Sequence, residues 1–153
     1  MSRFKQFLAS EIGIEFKACL YFFAILFFYS MYQIWQGSFF VSIIVMTEMI
    51  FSTYIMGYIQ VYLLGNFDEA ERMGLKEILA GVFCSSLYTG VSFLGKWYDR
   101  SIAVGVLFFF YIMLCYVCAF LVYKIKRDVD TMLLNQELEN FKKRKGSGED
   151  NGK

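Results

Sequence analysis

The sequence predicts an all-α integral membrane protein, a four-helix bundle with a cytoplasmic extension of its fourth helix. The prediction rests on four long apolar runs in a chain that is 58% hydrophobic, a composition typical of membrane proteins. Two of the three connections between the runs are short, which forces adjacent helices into antiparallel hairpins. An uneven distribution of lysine and arginine predicts the orientation of the bundle in the membrane.

The N-terminal segment, residues 1–16, mixes polar and apolar side chains. Phe4, Phe7, Leu8 and Ile12 share one face at helical spacing, which predicts a short interfacial helix lying on the membrane. The alternative is a solvated lead-in to the first span.

The transmembrane domain is predicted over residues 17–124, with its first two spans at about 18–35 and 39–64. The second span carries a single charged residue, Glu48, whose position in the run places it at membrane depth. Because an ionised carboxylate is costly there, Glu48 should face the bundle, be paired or be protonated. Ser52 and Gln60 extend a weak polar stripe. Glu48 is either a proton-sensing or cation-binding carboxylate, or a protonated acid that hydrogen-bonds across helices.

An acidic loop follows the second span and contains Asp68, Glu69 and Glu71. Asn66, followed three positions later by Glu69, fits a helix capping box. The loop is expected to offer these carboxylates to a cytoplasmic partner.

The third predicted span, residues 78–94, is the least hydrophobic. Two pairs of small residues lie four positions apart, Gly81 with Ser85 and Ser86 with Gly90. Such pairs allow close approach of another helix, so this helix is expected to pack centrally. A polar-lined conduit is the alternative.

The fourth span, about residues 102–123, continues without a helix breaker into a cytoplasmic basic helix at 125–145. Residues 146–153 are expected to form a disordered tail. The helix ends in four basic residues, Lys142, Lys143, Arg144 and Lys145. We expect these residues to contact anionic lipid headgroups.

The positive-inside rule orients the bundle. Thirteen lysines and arginines lie in the N-terminal segment, the acidic loop and the tail, against two (Lys96 and Arg100) in the turns. This distribution predicts a multi-pass protein of the cell membrane with both termini in the cytoplasm.

The sequence lacks the residues that several kinds of catalytic and metal chemistry require. The chain has no histidine, which removes the commonest proton shuttle and the usual catalytic zinc sites. Cys115 and Cys118 have redox spacing, but they lie inside an apolar span as buried thiols commonly do. We therefore expect no enzyme activity, no metal and no cofactor, and no direct contact with nucleic acid.

The layout of residues 10–142 resembles a bacterial family of four-helix membrane proteins of unknown function, encoded beside LytTR-type transcription regulators. The resemblance lies in Gly57, Gly65 and the Asp68–Glu69 pair, and in the tail residues 126–130 and 134–138. It implies a membrane protein that binds a cytosolic DNA-binding regulator.

Two functions are therefore expected. The first is a membrane regulatory protein that restrains or tunes a cytosolic partner, a LytTR-type regulator, through the acidic loop and the basic helix. The alternative is a proton-coupled small transporter, or a transporter subunit, acting as a dimer through Glu48. We expect a homo-oligomer in the lipid bilayer in either case.

Overall fold

The computed structural model describes residues 3–99 and 101–149 and confirms the predicted all-α four-helix bundle. Helix α1 spans Arg3–Trp35, α2 Ile43–Tyr58, α3 Leu75–Leu94 and α4 Ile102–Glu149. A π-helical turn, Ile59–Leu63, extends α2, and a short 3₁₀ turn, Phe67–Glu69, lies in the loop that follows. These ranges contain no β-strand.

All four helices are long and apolar enough to cross a membrane, over Ser10–Trp35, Ile43–Leu63, Leu75–Leu94 and within Ile102–Lys145. Large apolar side chains such as Phe23, Phe51 and Phe110 are exposed on the outside of the bundle. An apolar exterior of this kind suits lipid rather than water. The protein is therefore a multi-pass membrane protein.

The helices run alternately up and down and pack as two hairpins, α1 with α2 and α3 with α4, while α2 and α3 touch little. Residues 36–42 and 95–101 join the helices at what we call the turn end. Residues 64–74 join α2 to α3 at the opposite, loop end. Near the turn end, Phe28 of α1 packs on Phe108 of α4 and on Tyr98, with ring centroids 5.2 and 5.5 Å apart.

Several helix boundaries differ from the predicted ones. The N-terminal segment and the first span form one continuous helix, and residues 1–2 lie outside the described part. Helix α2 begins at Ile43 rather than at 39, and residues 39–42 belong to the non-helical turn before it. Helix α4 continues to Glu149, and residues 150–153 of the predicted tail are outside the described part.

The same backbone motif ends α1 and α3. At α1 the Ser38 N–H reaches the Gln33 carbonyl and Gly37 adopts a φ of +76°. At α3 the Trp97 N–H reaches the Ser92 carbonyl, with Lys96 at a φ of +53°. This left-handed position ordinarily favours glycine, so Lys96 holds a strained conformation that turns Trp97 back onto the bundle.

The loop reverses direction through two left-handed residues, Gly65 at a φ of +66° and Asn66 at +58°. Asn66 therefore does not cap a helix as its spacing from Glu69 had indicated, and its side chain makes no cap hydrogen bond. Instead, the Gly74 N–H donates to Glu77 Oε2 at 3.0 Å at the start of α3. The reversal points Phe67 and Asp68 into the bundle, where both are buried.

Candidate functional site

The loop end contains a buried cluster of charges centred on Lys17 of α1. Its Nζ lies 2.7 Å from Asp68 Oδ1 and 3.0 Å from Glu69 Oε1, and it also donates to Asn66 Oδ1. Lys17 and Asp68 are each only 2% exposed. The three acceptors match the three N–H donors of a lysine. The loop is thus held to α1 by an ion pair shielded from solvent.

Aromatic side chains and a second cation complete this cluster. The Tyr21 hydroxyl donates to Asp68 Oδ2 at 3.3 Å, and the Tyr123 ring centroid lies 5.3 Å from Lys17 Nζ. Arg127 of α4 donates to the backbone carbonyls of Glu69 at 2.6 Å and Ala70 at 2.9 Å. Lys17 therefore pairs with both carboxylates, and Arg127 ties the extension of α4 to the loop backbone.

Glu48 occupies a second polar site, near the turn end. It is the sixth residue of α2, so it lies about 7.5 Å from the start of that helix at roughly 1.5 Å per residue. Its side chain is half-buried, and Oε2 accepts a hydrogen bond from Trp97 Nε1 at 2.9 Å. The carboxylate is therefore shallower in the membrane than its position in the apolar run indicated, and its partner is a neutral donor.

Of the other predicted intramembrane residues, the structure brings only Ser52 to this site. The Ser52 hydroxyl donates to the backbone carbonyl of Glu48 at 2.7 Å. Gln60 is buried near the loop end of α2, three helical turns away, and its Nε2 has no hydrogen-bond partner in the described ranges. The predicted polar stripe is thus divided between the two ends of α2.

The two pairs of small residues on α3 have different environments. Gly81 and Ser85 are buried, and a Cβ placed on Gly81 would lie 3.7 Å from Met113 of α4 and from Phe67. Ser86 and Gly90 are exposed, and nothing lies within 4 Å of a Cβ built at Gly90. Only the first pair lies against a helix of the same chain.

The predicted cytoplasmic interaction residues also fall into two groups. Asp68 is buried and Glu69 is paired with Lys17, while Glu71 is exposed. The basic residues at the end of the extension are all exposed: Lys142, Lys143, Arg144 and Lys145. Lys143 pairs with Glu139 at 2.9 Å on the same helix. Asp68 and Glu69 thus hold the loop to α1, while Glu71 and the basic end of the extension remain exposed.

The chain carries four free cysteines, and Cys115 and Cys118 are separate thiols on α4. In the described part of the chain no three histidine, cysteine, aspartate or glutamate side chains come together as a metal site would require. Comparison with known protein families, with curated proteins and with solved structures finds no match.

Lys17, Trp97 and Arg127 take part in these sites, although the sequence alone did not mark them as site residues. One signal was present on α1, where Lys17, Tyr21 and Tyr32 lie on one face at helical spacing, with Gln36 just beyond the end of the helix. A polar and aromatic stripe of this kind in a membrane helix indicates a face turned toward protein. It indicates neither the partner residues nor the end of the bundle at which each lies.

Proposed function

We propose that this protein is a regulatory subunit of the cell membrane whose α4 extension binds a soluble partner in the cytoplasm. The observation that carries the proposal is that α4 leaves the bundle as an exposed helix bearing apolar side chains. Every described side chain from 128 to 145 is exposed. A lone helix in water gains most of its stability by packing an apolar face on something else.

The extension has two apolar stripes on opposite faces. Ile125, Val129 and Met132, the proximal stripe, continue the lipid-facing side of α4. Leu134, Leu138 and Phe141, the distal stripe, continue the face that holds Tyr123 and Arg127 against the bundle. The spacing of three and four residues places each set on one side of the helix.

The distal stripe is the surface best suited to a partner. Leu134, Leu138 and Phe141 line a shallow, open groove on one side of this single helix, bordered by Glu137, Asn140 and Arg144. An apolar centre with polar and charged neighbours is the usual anatomy of a protein interface. The groove faces the space above the loop end, where nothing in the described part of the chain covers it.

Distance favours a protein partner over lipid headgroups for the basic residues at 142–145. They lie about 27 Å beyond Lys124 along a continuous helix at roughly 1.5 Å per residue. A standing helix would hold them well past the screening length of about 8 Å at physiological salt. A cytosolic regulator with an acidic and apolar surface fits this position, and we propose a regulator of the LytTR type.

Arg127 supplies the physical link between membrane and partner. It is the residue of the extension that reaches back to the α2–α3 loop, and that loop is held to α1 through Lys17. A shift of α1 against α4 would therefore change the orientation of the extension relative to the bundle. Coupling of this kind requires two discrete arrangements of the loop end.

The test is affinity purification of the full-length protein from native membranes in mild detergent, with mass spectrometry of the proteins that co-purify. Leu134→Ser with Leu138→Ser should reduce recovery of a DNA-binding regulator at least about tenfold, since buried apolar anchors dominate interfaces. Val129→Ser with Met132→Ser is the matched control on the opposite face and should leave recovery unchanged. Equal recovery with both double variants, or recovery of copies of this chain alone, would contradict the proposal.

Arg127→Gln tests the coupling separately from binding. The partner should still co-purify, because the distal stripe is intact. In the wild type, partner binding should slow amide hydrogen exchange in residues 66–74, and in the variant this protection should disappear. Equal protection in both proteins would show that the coupling between the extension and the loop does not run through Arg127.

Glu48 supports a second candidate, the proton-coupled transporter acting as a dimer. The specific observation is a carboxylate on a membrane-spanning helix that has no ion-pair partner among the described residues. Purified protein in vesicles should then move protons when substrate is supplied, and Glu48→Gln should abolish the movement. An inactive wild type would remove this candidate.

A further inference from the structure

The groove between α2 and α3 at the turn end has the composition of a ligand site. It is lined by Glu48 and Ser52 of α2, by Gly95, and by apolar side chains of both helices, among them Ile44, Phe51 and Leu94. Its volume is about 580 Å³, within the range of small-molecule sites. It exists because the two hairpins pack internally and leave α2 and α3 apart.

The carboxylate in this groove is held in place by its surroundings. Trp97 is 2% exposed and donates its indole N–H to Glu48 Oε2. A Cβ on Gly95 would lie 2.7 Å from that oxygen and 2.5 Å from Trp97 Nε1. Because Gly95 has no side chain, the indole of Trp97 can reach the Glu48 carboxylate. The strained turn at Lys96 orients the indole toward that carboxylate.

Glu48 is also the polar group that the groove can offer to a ligand. The Thr47 hydroxyl donates to the Ile43 carbonyl, and the Ser52 hydroxyl to the Glu48 carbonyl, so both are engaged within α2. A carboxylate has about four acceptor sites, and the Trp97 N–H is the one donor to it in the described ranges. A ligand would therefore meet one carboxyl group with free acceptor sites, surrounded by hydrocarbon.

We propose that this groove binds a membrane-soluble organic cation, with Glu48 as its counter-charge. A negative group at membrane depth is stabilised by a positive one, and the apolar walls suit an alkyl or aryl body. Most wall residues are largely exposed, including Ile43, Ile44 and Phe51. These residues face lipid in a bilayer, so the ligand reaches the groove sideways from the membrane. The inference concerns binding alone and depends neither on the extension nor on transport.

The experiment measures binding of radiolabelled tetraphenylphosphonium to the full-length protein in lipid nanodiscs. Tetraphenylborate, an anion of nearly the same size and shape, is the matched control for partition into lipid. Saturable binding of the cation without saturable binding of the anion is expected. Absence of saturable cation binding, or equal binding of both ions, would overturn the proposal.

Variants locate the site. Glu48→Gln should weaken cation binding at least about tenfold, because the ligand loses its counter-charge. Glu15→Gln is the matched control, since Glu15 is a lipid-side carboxylate of α1 that accepts a hydrogen bond from the Tyr54 hydroxyl. It should bind as tightly as the wild type. Unchanged affinity in Glu48→Gln would overturn the proposal.

A second variant guards against misfolding of Glu48→Gln. Ser52→Phe fills the groove and leaves the carboxylate and Trp97 in place. In a Trp35→Phe background Trp97 is the only tryptophan, since the chain has two. Ser52→Phe should keep the ligand-free emission of Trp97 and lose the change in emission that the cation causes in the unfilled groove. An identical response with the groove filled would place the cation elsewhere.

Discussion

The cluster around Lys17 and the Glu48 site, at opposite ends of the bundle, hold their carboxylates in different ways. At the loop end Asp68 and Glu69 contact the ammonium of Lys17, and Arg127 binds the backbone beside them. At the turn end the described partners are neutral. Glu48 accepts from the Trp97 indole, and Asp99 Oδ2 accepts from the Tyr32 hydroxyl at 3.1 Å.

The difference indicates different tasks. A buried ion pair is favourable only when both charges are present and well placed. The cluster around Lys17, which we call the lock, therefore has a structural task, because its charges are already paired with one another. A carboxylate held by a single neutral donor has acceptor sites left over, so the Glu48 site can accommodate a cation. The lock joins α1, the loop and α4, and the open site lies between α2 and α3, which pack sparsely on each other.

The largest expected effect is at the lock. Lys17→Met should reduce the free energy of unfolding by about 3–5 kcal/mol, because it leaves the buried carboxylate of Asp68 without the cation that pairs with it. Adding Asp68→Asn should restore at least half of the loss. Denaturant unfolding of the detergent-solubilised protein measures both.

Lys5→Met, an exposed position on the same helix, is the control and should change stability by less than about 0.5 kcal/mol. If the Lys17→Met variant is as stable as the double variant, the ion pair is not the element that holds the loop.

A smaller effect is expected at the turn end. The Tyr32 hydroxyl donates to Asp99 and accepts from the Asp99 N–H at 3.2 Å and from Gln36 Nε2 at 2.8 Å. Tyr32→Phe should therefore cost about 1–2 kcal/mol, measured by the same unfolding assay. Tyr62→Phe, an exposed tyrosine of α2's π-helical turn, should stay within about 0.5 kcal/mol of the wild type. Equal losses of stability in the two variants would show that the hydrogen bonds of the Tyr32 hydroxyl do not stabilise the turn end.

The smallest effect concerns the two turns. Lys96→Gly should raise the thermal midpoint, with a gain of about 1 kcal/mol, because glycine adopts a positive φ without strain. Gly37→Ala is the reverse change at the equivalent position of α1 and should lose a similar amount. A loss in Lys96→Gly would show that the lysine side chain stabilises the turn in some other way.

The described fold agrees with the sequence prediction where local pattern decides. The third and fourth spans were placed at 78–94 and 102–123, and the helices run over Leu75–Leu94 and from Ile102. The start of α2 was missed by four residues, because Phe39 and Phe40 are apolar like a span although they lie in the turn. The acidic loop was expected to be open, and its folding inward changes which surface is left for a partner.

The sequence by itself determined four apolar helices, their alternating order and the long fourth helix, because helix length and apolarity are local properties. Only the tertiary structure decided which charges meet. Lys17 and Asp68 are 51 residues apart, and Trp97 and Glu48 are 49 apart. These contacts depend on the left-handed turns at Asn66 and Lys96, which fold the chain back onto helices formed elsewhere. Local pattern does not encode such pairings, since each side chain's partner is set by packing in three dimensions.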